Sequence, residues 1–238
     1  MLAFAAVRKL LRRAAYLRPR RWRDALNNIV YFRAPRVASA LRKRWAIWSN
    51  PKAHIEFGPW VYAGPGFSLH MPFGGTFVAE EGVEFRRRFR AEVGPNGRVR
   101  IGKHTYCTYD VIITADTVVE VGERCGLGQA TYIADGNHRF RDLTVPFLEQ
   151  GYDYRPIRIE NDVQIHSKCT IVNSIGTRSV IGANAVISRP IPPYCLAAGV
   201  PARVIDYFGP PGQEPEGWDP SGSANSSSPD AAQSREQA

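Results

Sequence analysis

The stretch "IENDVQIHSKCT", residues 159–170, carries Ile159 and Ile165 six positions apart, and Ile171 follows at the same interval. "IGANAV" at 181–186 repeats the step, with Ile187 after it. A small or β-branched residue, Val163, Cys169 or Ala185, stands four places after each lead isoleucine. Six is not a helical period. An even spacing keeps the lead residues on one face of short strands, and the Gly or Asn beside them lets the chain turn sharply before the next strand. Such steps predict a solenoid whose core is a ladder of stacked aliphatic side chains.

Upstream, "IGKHTY", "CTYDVI", "VGERCG" and "LGQATY" continue the pattern with Ile101, Cys107, Val121 and Leu127 in the lead. A weaker run over 55–73, led by Ile55, Val61, Phe67 and Phe73, reads as the start of the same winding with bulkier side chains. Arg86, Arg87, Arg88 and Arg90 interleave with Phe85 and Phe89, a pattern that fits either an anion-binding stretch or an exposed edge strand. Two places break the register. Ile171 and Ile175 are only four residues apart, and residues 134–156, "ADGNHRFRDLTVPFLEQGYDYRP", have no six-residue pattern. The second must leave the solenoid as a loop and return at "IRIENDV"; loops on a rigid scaffold are common places for chemistry.

The domain organisation has three parts. Residues 1–50 carry thirteen Arg and Lys against one acid, Asp24, whereas the whole 238-residue chain has a net charge of +9. Val7, Leu10, Leu11, Ala14 and Leu17 recur at helical spacing beside Arg8, Lys9, Arg12 and Arg13, so this segment reads as a basic amphipathic helix interrupted near Pro19. It fits packing on the main domain or a neighbouring subunit, or peripheral contact of residues 1–23 with an anionic membrane. Neither a recognition-helix pattern nor aromatic interleaving supports nucleic acid as a partner. Residues 51–209 form the solenoid domain. Residues 210–238, rich in Pro, Gly, Ser and Ala, are expected to be a disordered tail with no catalytic part. The chain shows neither an apolar run of membrane-spanning length nor an export signal, so a cytoplasmic location is expected, with possible membrane association at the inner face. Cys107, Cys125, Cys169 and Cys195 form no CxxC pair and read as reduced, buried thiols.

Three words, "NHRF" at 137–140, "PIRIENDVQI" at 156–165 and "SVIGANAVISRPIPPYCLAAGVPARVI" at 179–205, together with the ladder between them, resemble the hexapeptide-repeat acyltransferases. Within that group they are similar to the cytoplasmic maltose, galactoside and xenobiotic acetyltransferases and the polysaccharide O-acetyltransferases. The resemblance covers residues 95–207 well and 50–94 weakly. It implies an all-β solenoid, a left-handed parallel β-helix that winds against the usual crossover rule, assembled as a homotrimer with sites between neighbouring prisms. It also implies acetyl-CoA as cosubstrate and no metal, with a sugar, nucleotide-sugar or lipid-linked glycan as acceptor.

Residue by residue, His138 matches the family's catalytic base, and Asp135 and Asn137 match a polar cluster near the acceptor or the histidine. Ala198, Gly199, Pro201 and Ala202 match positions lining the pantetheine and adenine end of the cofactor, and Arg203 a basic position near its phosphate. The sequence departs from the family where many relatives have Trp at position 164 (here Gln164), Gly at 166 (His166), a longer turn at 171–176 and a second histidine at 136 (Gly136).

An alcohol attacks a thioester only as its proton leaves, and imidazole is the side chain suited to take that proton near neutrality. His138 is therefore the expected general base of a direct transfer, with Asp135 the nearest acidic residue to orient it, though a backbone carbonyl would serve as well. Two other readings stand beside this one. A zinc-dependent, carbonic anhydrase-like enzyme would need three converging histidines, yet His104, His138 and His166 sit at different positions of their steps; His54 and His70 have no such context. A solenoid that has lost cofactor binding would serve only as a structural or interaction subunit.

Overall fold

The computed structural model describes residues 34–216 and Trp218. The segment over 1–23 therefore lies outside the described residues, as does most of the tail. A helix, Ala34–Ser49, leads into short strands that coil into a three-sided prism. One side stacks His54–Phe57, Thr76–Ala79, Arg98–Ile101, Val118–Val121 and Ile157–Ile159. The second stacks Tyr62–Ala63, Glu84–Arg87, Tyr106–Tyr109, Gly126–Leu127, Gln164–Ile165, Val180–Ile181 and Cys195–Gly199, with Ala202–Tyr207 added antiparallel at its end. The third stacks Ser68–His70, Arg90–Val93, Ile112–Ala115, Tyr132–Ala134, Thr170–Ile171 and Val186–Ile187. Every neighbouring pair in these three stacks, apart from the added strand, is parallel.

The lead residues Ile101, Cys107, Val121, Leu127, Ile159, Ile165, Ile171, Ile175, Ile181 and Ile187 are all buried. Full burial of one such aliphatic side chain contributes about 1.5–3 kcal/mol, so the ladder is the main support of the fold. The coils are not equal. Tyr62 pairs with Glu84 and Glu84 with Tyr106, twenty-two residues per coil. Gln164 pairs with Val180 and Val180 with Leu196, sixteen residues per coil. A longer perimeter encloses a wider interior, which the early coils fill with Phe67, Phe77, Phe85 and Phe89, ring centroids 4.3–6.4 Å apart. The narrow late coils hold isoleucines.

The short step from Ile171 to Ile175 is therefore not an isolated defect. Ile187 to Ile191 repeats it in the next coil, and bridges join Ile159 to Ile175 and Ile175 to Ile191. Two expectations need correction. Phe73 is exposed, and Met71 takes the buried position in its place. The arginine-rich stretch is not an edge strand. Its two strands lie inside their sheets with Phe85 and Phe89 in the core, and Arg86, Arg88 and Arg90 pair with Glu84, Asp110 and Glu92.

The corners explain how ordinary residues can turn so sharply. Arg88, Asp110, Ala130, Lys168 and Asn184 stack along one corner, and His104, Arg124, Asp162, Arg178 and Tyr194 along another, all with φ between +50° and +62°. That conformation costs about 1–2 kcal/mol per non-glycine residue. It is offset because each corner N–H donates to a carbonyl one coil below, for example Asp110 to Arg87 at 3.0 Å and Asp162 to Glu123 at 2.9 Å. Stacking also sets opposite charges side by side, as Arg124 over Asp162 at 2.7 Å. Its hydrogen bond holds the Asp162 carboxyl below the usual carboxylate range.

All four cysteines are buried and free. Burial pushes the Cys125 and Cys195 thiols up to about 11, and raises those of Cys107 and Cys169 as well. Only the thiolate reacts. Ellman's reagent at pH 8 is expected to find no reactive thiol in the native protein and four after denaturation; rapid native labelling would show that a coil opens.

Candidate active site

The chain leaves the prism after Tyr132–Ala134 and forms an antiparallel hairpin, Gly136–His138 against Tyr152–Tyr154, with a short 3-10 turn at Phe147–Glu149 in its tip. The excursion expected over 134–156 is thus a strand-stemmed arm rather than a structureless loop. Its return strand rejoins the first sheet at Ile157.

The root of the arm is pinned by Asp135. Its side chain is buried and accepts three hydrogen bonds from the coil beneath: from the Asp116 N–H at 3.0 Å, the Thr117 N–H at 2.6 Å and the Thr117 hydroxyl at 2.7 Å. Its carbonyl accepts from the Arg155 N–H at 2.7 Å, closing the stem from the other side. Burial, and then the Asp135 charge, raises the Asp116 carboxyl above its ordinary range. Asp135 makes no hydrogen bond to His138 in this structure, and three hydrogen bonds tie its carboxylate to the scaffold.

His138 is half-buried, its ring 4.1 Å from that of Tyr152 and 5.0 Å from that of Phe147. Its Nδ1 is buried and makes no hydrogen bond among the described residues. An unpaired buried polar atom costs about 1–3 kcal/mol, and native structures retain few of them. The ring lines an open cleft of about 600 Å³, together with Asn137, Asp153, Tyr154, Arg155, Val172 and Ser188 among others. Asn137 is exposed there. Asp153 also receives the Arg139 guanidinium at 2.7 Å, which braces the two strands of the arm.

Gly136 has a structural reason. A Cβ at this position would stand 2.9 Å from the Tyr154 ring, closer than real contacts allow. Sequence reasoning missed Tyr152, Tyr154 and Arg155, whose position opposite 136–138 depends on hairpin register. It also missed Val172 and Ser188, which follow the buried Ile171 and Ile187 on adjacent coils. The recurrence of those two isoleucines was the available signal.

The other predicted residues lie elsewhere in the chain. Ala198, Gly199, Ala202 and Arg203 face each other across the final hairpin, Ala198 opposite Arg203 and Gly199 opposite Ala202, with Pro201 in the turn after a cis Val200–Pro201 bond. None of them lines the cleft around His138. Gln164 lies on the second sheet, accepting a hydrogen bond from the Tyr106 hydroxyl at 3.2 Å, and His166 is exposed beside it. No cysteine lines the cleft, and among the described residues no group of three or more His, Cys, Asp or Glu is arranged to hold a metal ion.

No family model matches the chain. A Mycobacterium tuberculosis protein named "Probable acetyltransferase Rv3034c" is 30% identical over 168 residues, 69% of this chain and 48% of that protein. Escherichia coli galactoside O-acetyltransferase is 34% identical over 112 residues, 45% of this chain and 53% of that one. The chain thus spans about half the length of these curated relatives. Among solved structures, the hexapeptide-repeat acetyltransferase of Vibrio cholerae complexed with acetyl-CoA matches with a TM-score of 0.50 and 23% identity, over 72% of this chain and 78% of that one. A Bacillus cereus N-acyltransferase bound to dTDP and coenzyme A matches with a TM-score of 0.51 and 15% identity, over 65% and 84%.

The three-sided winding and these matches define the chain's class as the left-handed parallel β-helix. By sequence it is similar to proteins named as acetyltransferases, and its fold is that of the hexapeptide-repeat acetyltransferases.

Proposed function

We propose that the protein is a CoA-dependent acetyltransferase that moves an acetyl group from acetyl-CoA to a hydroxyl of a sugar or glycan precursor, with His138 as general base. The observation that carries this reading is His138 itself: it stands at the root of the arm and lines a cleft of about 600 Å³. In this scheme the acceptor oxygen forms a bond to the thioester carbonyl carbon while its proton passes to the imidazole. The carbon–sulfur bond then breaks, and the imidazolium returns the proton to the leaving thiolate. Atoms and charge balance without a covalent enzyme intermediate, which agrees with the burial of all four thiols. Exposed Asn137 would contact the acceptor.

The final hairpin, with Ala198, Gly199, Pro201, Ala202 and Arg203, would hold the cofactor. It is absent from the wall of the His138 cleft within one chain, which supports a homotrimer in which a neighbouring prism brings it there. A hydroxyl acceptor is favoured by the likeness to galactoside O-acetyltransferase.

The test is equilibrium binding of acetyl-CoA with free CoA as competitor, followed by a CoA-release assay over a panel of mono-, oligo- and nucleotide sugars. Saturable, CoA-displaceable binding and acceptor-dependent release are expected. Loss of both would leave the chain a non-catalytic solenoid.

A further inference from the structure

The helix Ala34–Ser49 is amphipathic in the reverse sense. A helix that covers a protein body normally turns its apolar stripe inward. Here the inward side carries polar contacts around the buried Ala46: Ser39 accepts from the Ala63 N–H at 2.8 Å, Arg42 donates to the Ala63 carbonyl at 2.9 Å and Lys43 to the Val61 carbonyl at 3.0 Å. Just past the helix, Asn50 accepts from the Met71 N–H at 2.7 Å and donates to the Leu69 carbonyl at 3.1 Å. These side chains satisfy backbone groups of the first coil, which has no coil before it among the described residues. The outward side carries Val37, Leu41, Trp45 and Trp48, spaced four, four and three residues apart and 62–71% exposed. The two indoles lie 4.9 Å apart. Arg36 and Arg44 are exposed on the same helix, and Trp60 and Phe73 of the first coil are exposed as well.

We propose that this outward stripe is a membrane-docking surface that lies in the interface of an anionic bilayer. Three observations favour a lipid surface as its occupant. Paired exposed tryptophans are suited to the headgroup region, where an amphipathic ring meets both phases. Thirteen basic residues against one acid in residues 1–50 supply the charge complementarity that anionic lipid demands. The helix already has its polar face engaged with the prism, so insertion of the apolar face needs no rearrangement of the described coils. No helix among the described residues is long and apolar enough to cross a membrane, so contact is by lying on the surface. The proposal is independent of the acetyl-transfer chemistry.

The test is sedimentation of the full chain with vesicles of equal parts phosphatidylglycerol and phosphatidylcholine, against vesicles of phosphatidylcholine alone. The wild-type protein is expected to bind the anionic vesicles and to be released by salt. Trp45→Ser with Trp48→Ser is expected to weaken that binding at least about tenfold, and Trp45→Phe with Trp48→Phe to retain it. Thermal unfolding should be unchanged in both, because neither indole is in the core. Three outcomes would overturn the proposal. One is no binding by the wild type. Another is equal binding by the serine variant, which would assign the affinity to residues 1–33. The last is a fall in oligomer mass by light scattering with vesicle binding unchanged, which would make the stripe a contact between copies of this chain.

Discussion

Replacing His138 with alanine is expected to lower acetyl transfer by about 10²–10⁴-fold, the usual contribution of a positioned general base. The loss should fall in kcat and equally in kcat/KM, because the proton moves only in the transition state. Acetyl-CoA affinity should stay close to that of the wild type, since a general base acts in the transition state and is not assigned a part in holding the cofactor. The fold should survive. The ring is half-buried on an arm outside the prism, and its removal also removes the unpaired Nδ1. Single-turnover assays with saturating acetyl-CoA give the cleanest reading. Equal turnover by wild type and variant would end the assignment of His138 as base, whatever the fold of the protein.

Asp135→Ala is expected to act through stability instead. It withdraws an acceptor from two backbone N–H groups and one hydroxyl, all of them near the prism wall. Hydrogen bonds to a charged group contribute about 1.5–3 kcal/mol each, and such contributions do not add fully, so a loss of about 3–4 kcal/mol is expected. Asp135→Asn keeps one acceptor oxygen and should lose roughly half as much. Denaturant unfolding measures both. A residue that orients the base would give the opposite pattern, with transfer lost and stability kept. Hydrogen exchange adds a local readout: the Asp116 and Thr117 amides should lose protection in the alanine variant before the Ile ladder does.

The legible part of this protein was the repeat. Ile159, Ile165, Ile171, Ile181 and Ile187 each report their own burial through a local rule, because a side chain two positions along a strand returns to the same face. The excursion was legible for the same reason in reverse, as the span where that rule lapses, and His138 could be picked out on it. The resemblance to a family pointed to residues 198–203 as the expected cofactor-binding positions, which spacing alone would not have assigned.

What the sequence by itself determined was the β-helix, its lead residues, the limits of the arm and the histidine at its root. Only the tertiary structure decided that Asp135 belongs to the coil below, that Tyr154 occupies the place denied to a side chain at Gly136, and that the Ala34–Ser49 helix turns its tryptophans outward. A period of six is written in neighbouring residues, whereas those partnerships join groups about twenty residues apart or more, and which pair meets depends on hairpin register and coil perimeter. Chain folding sets both only once the prism has closed.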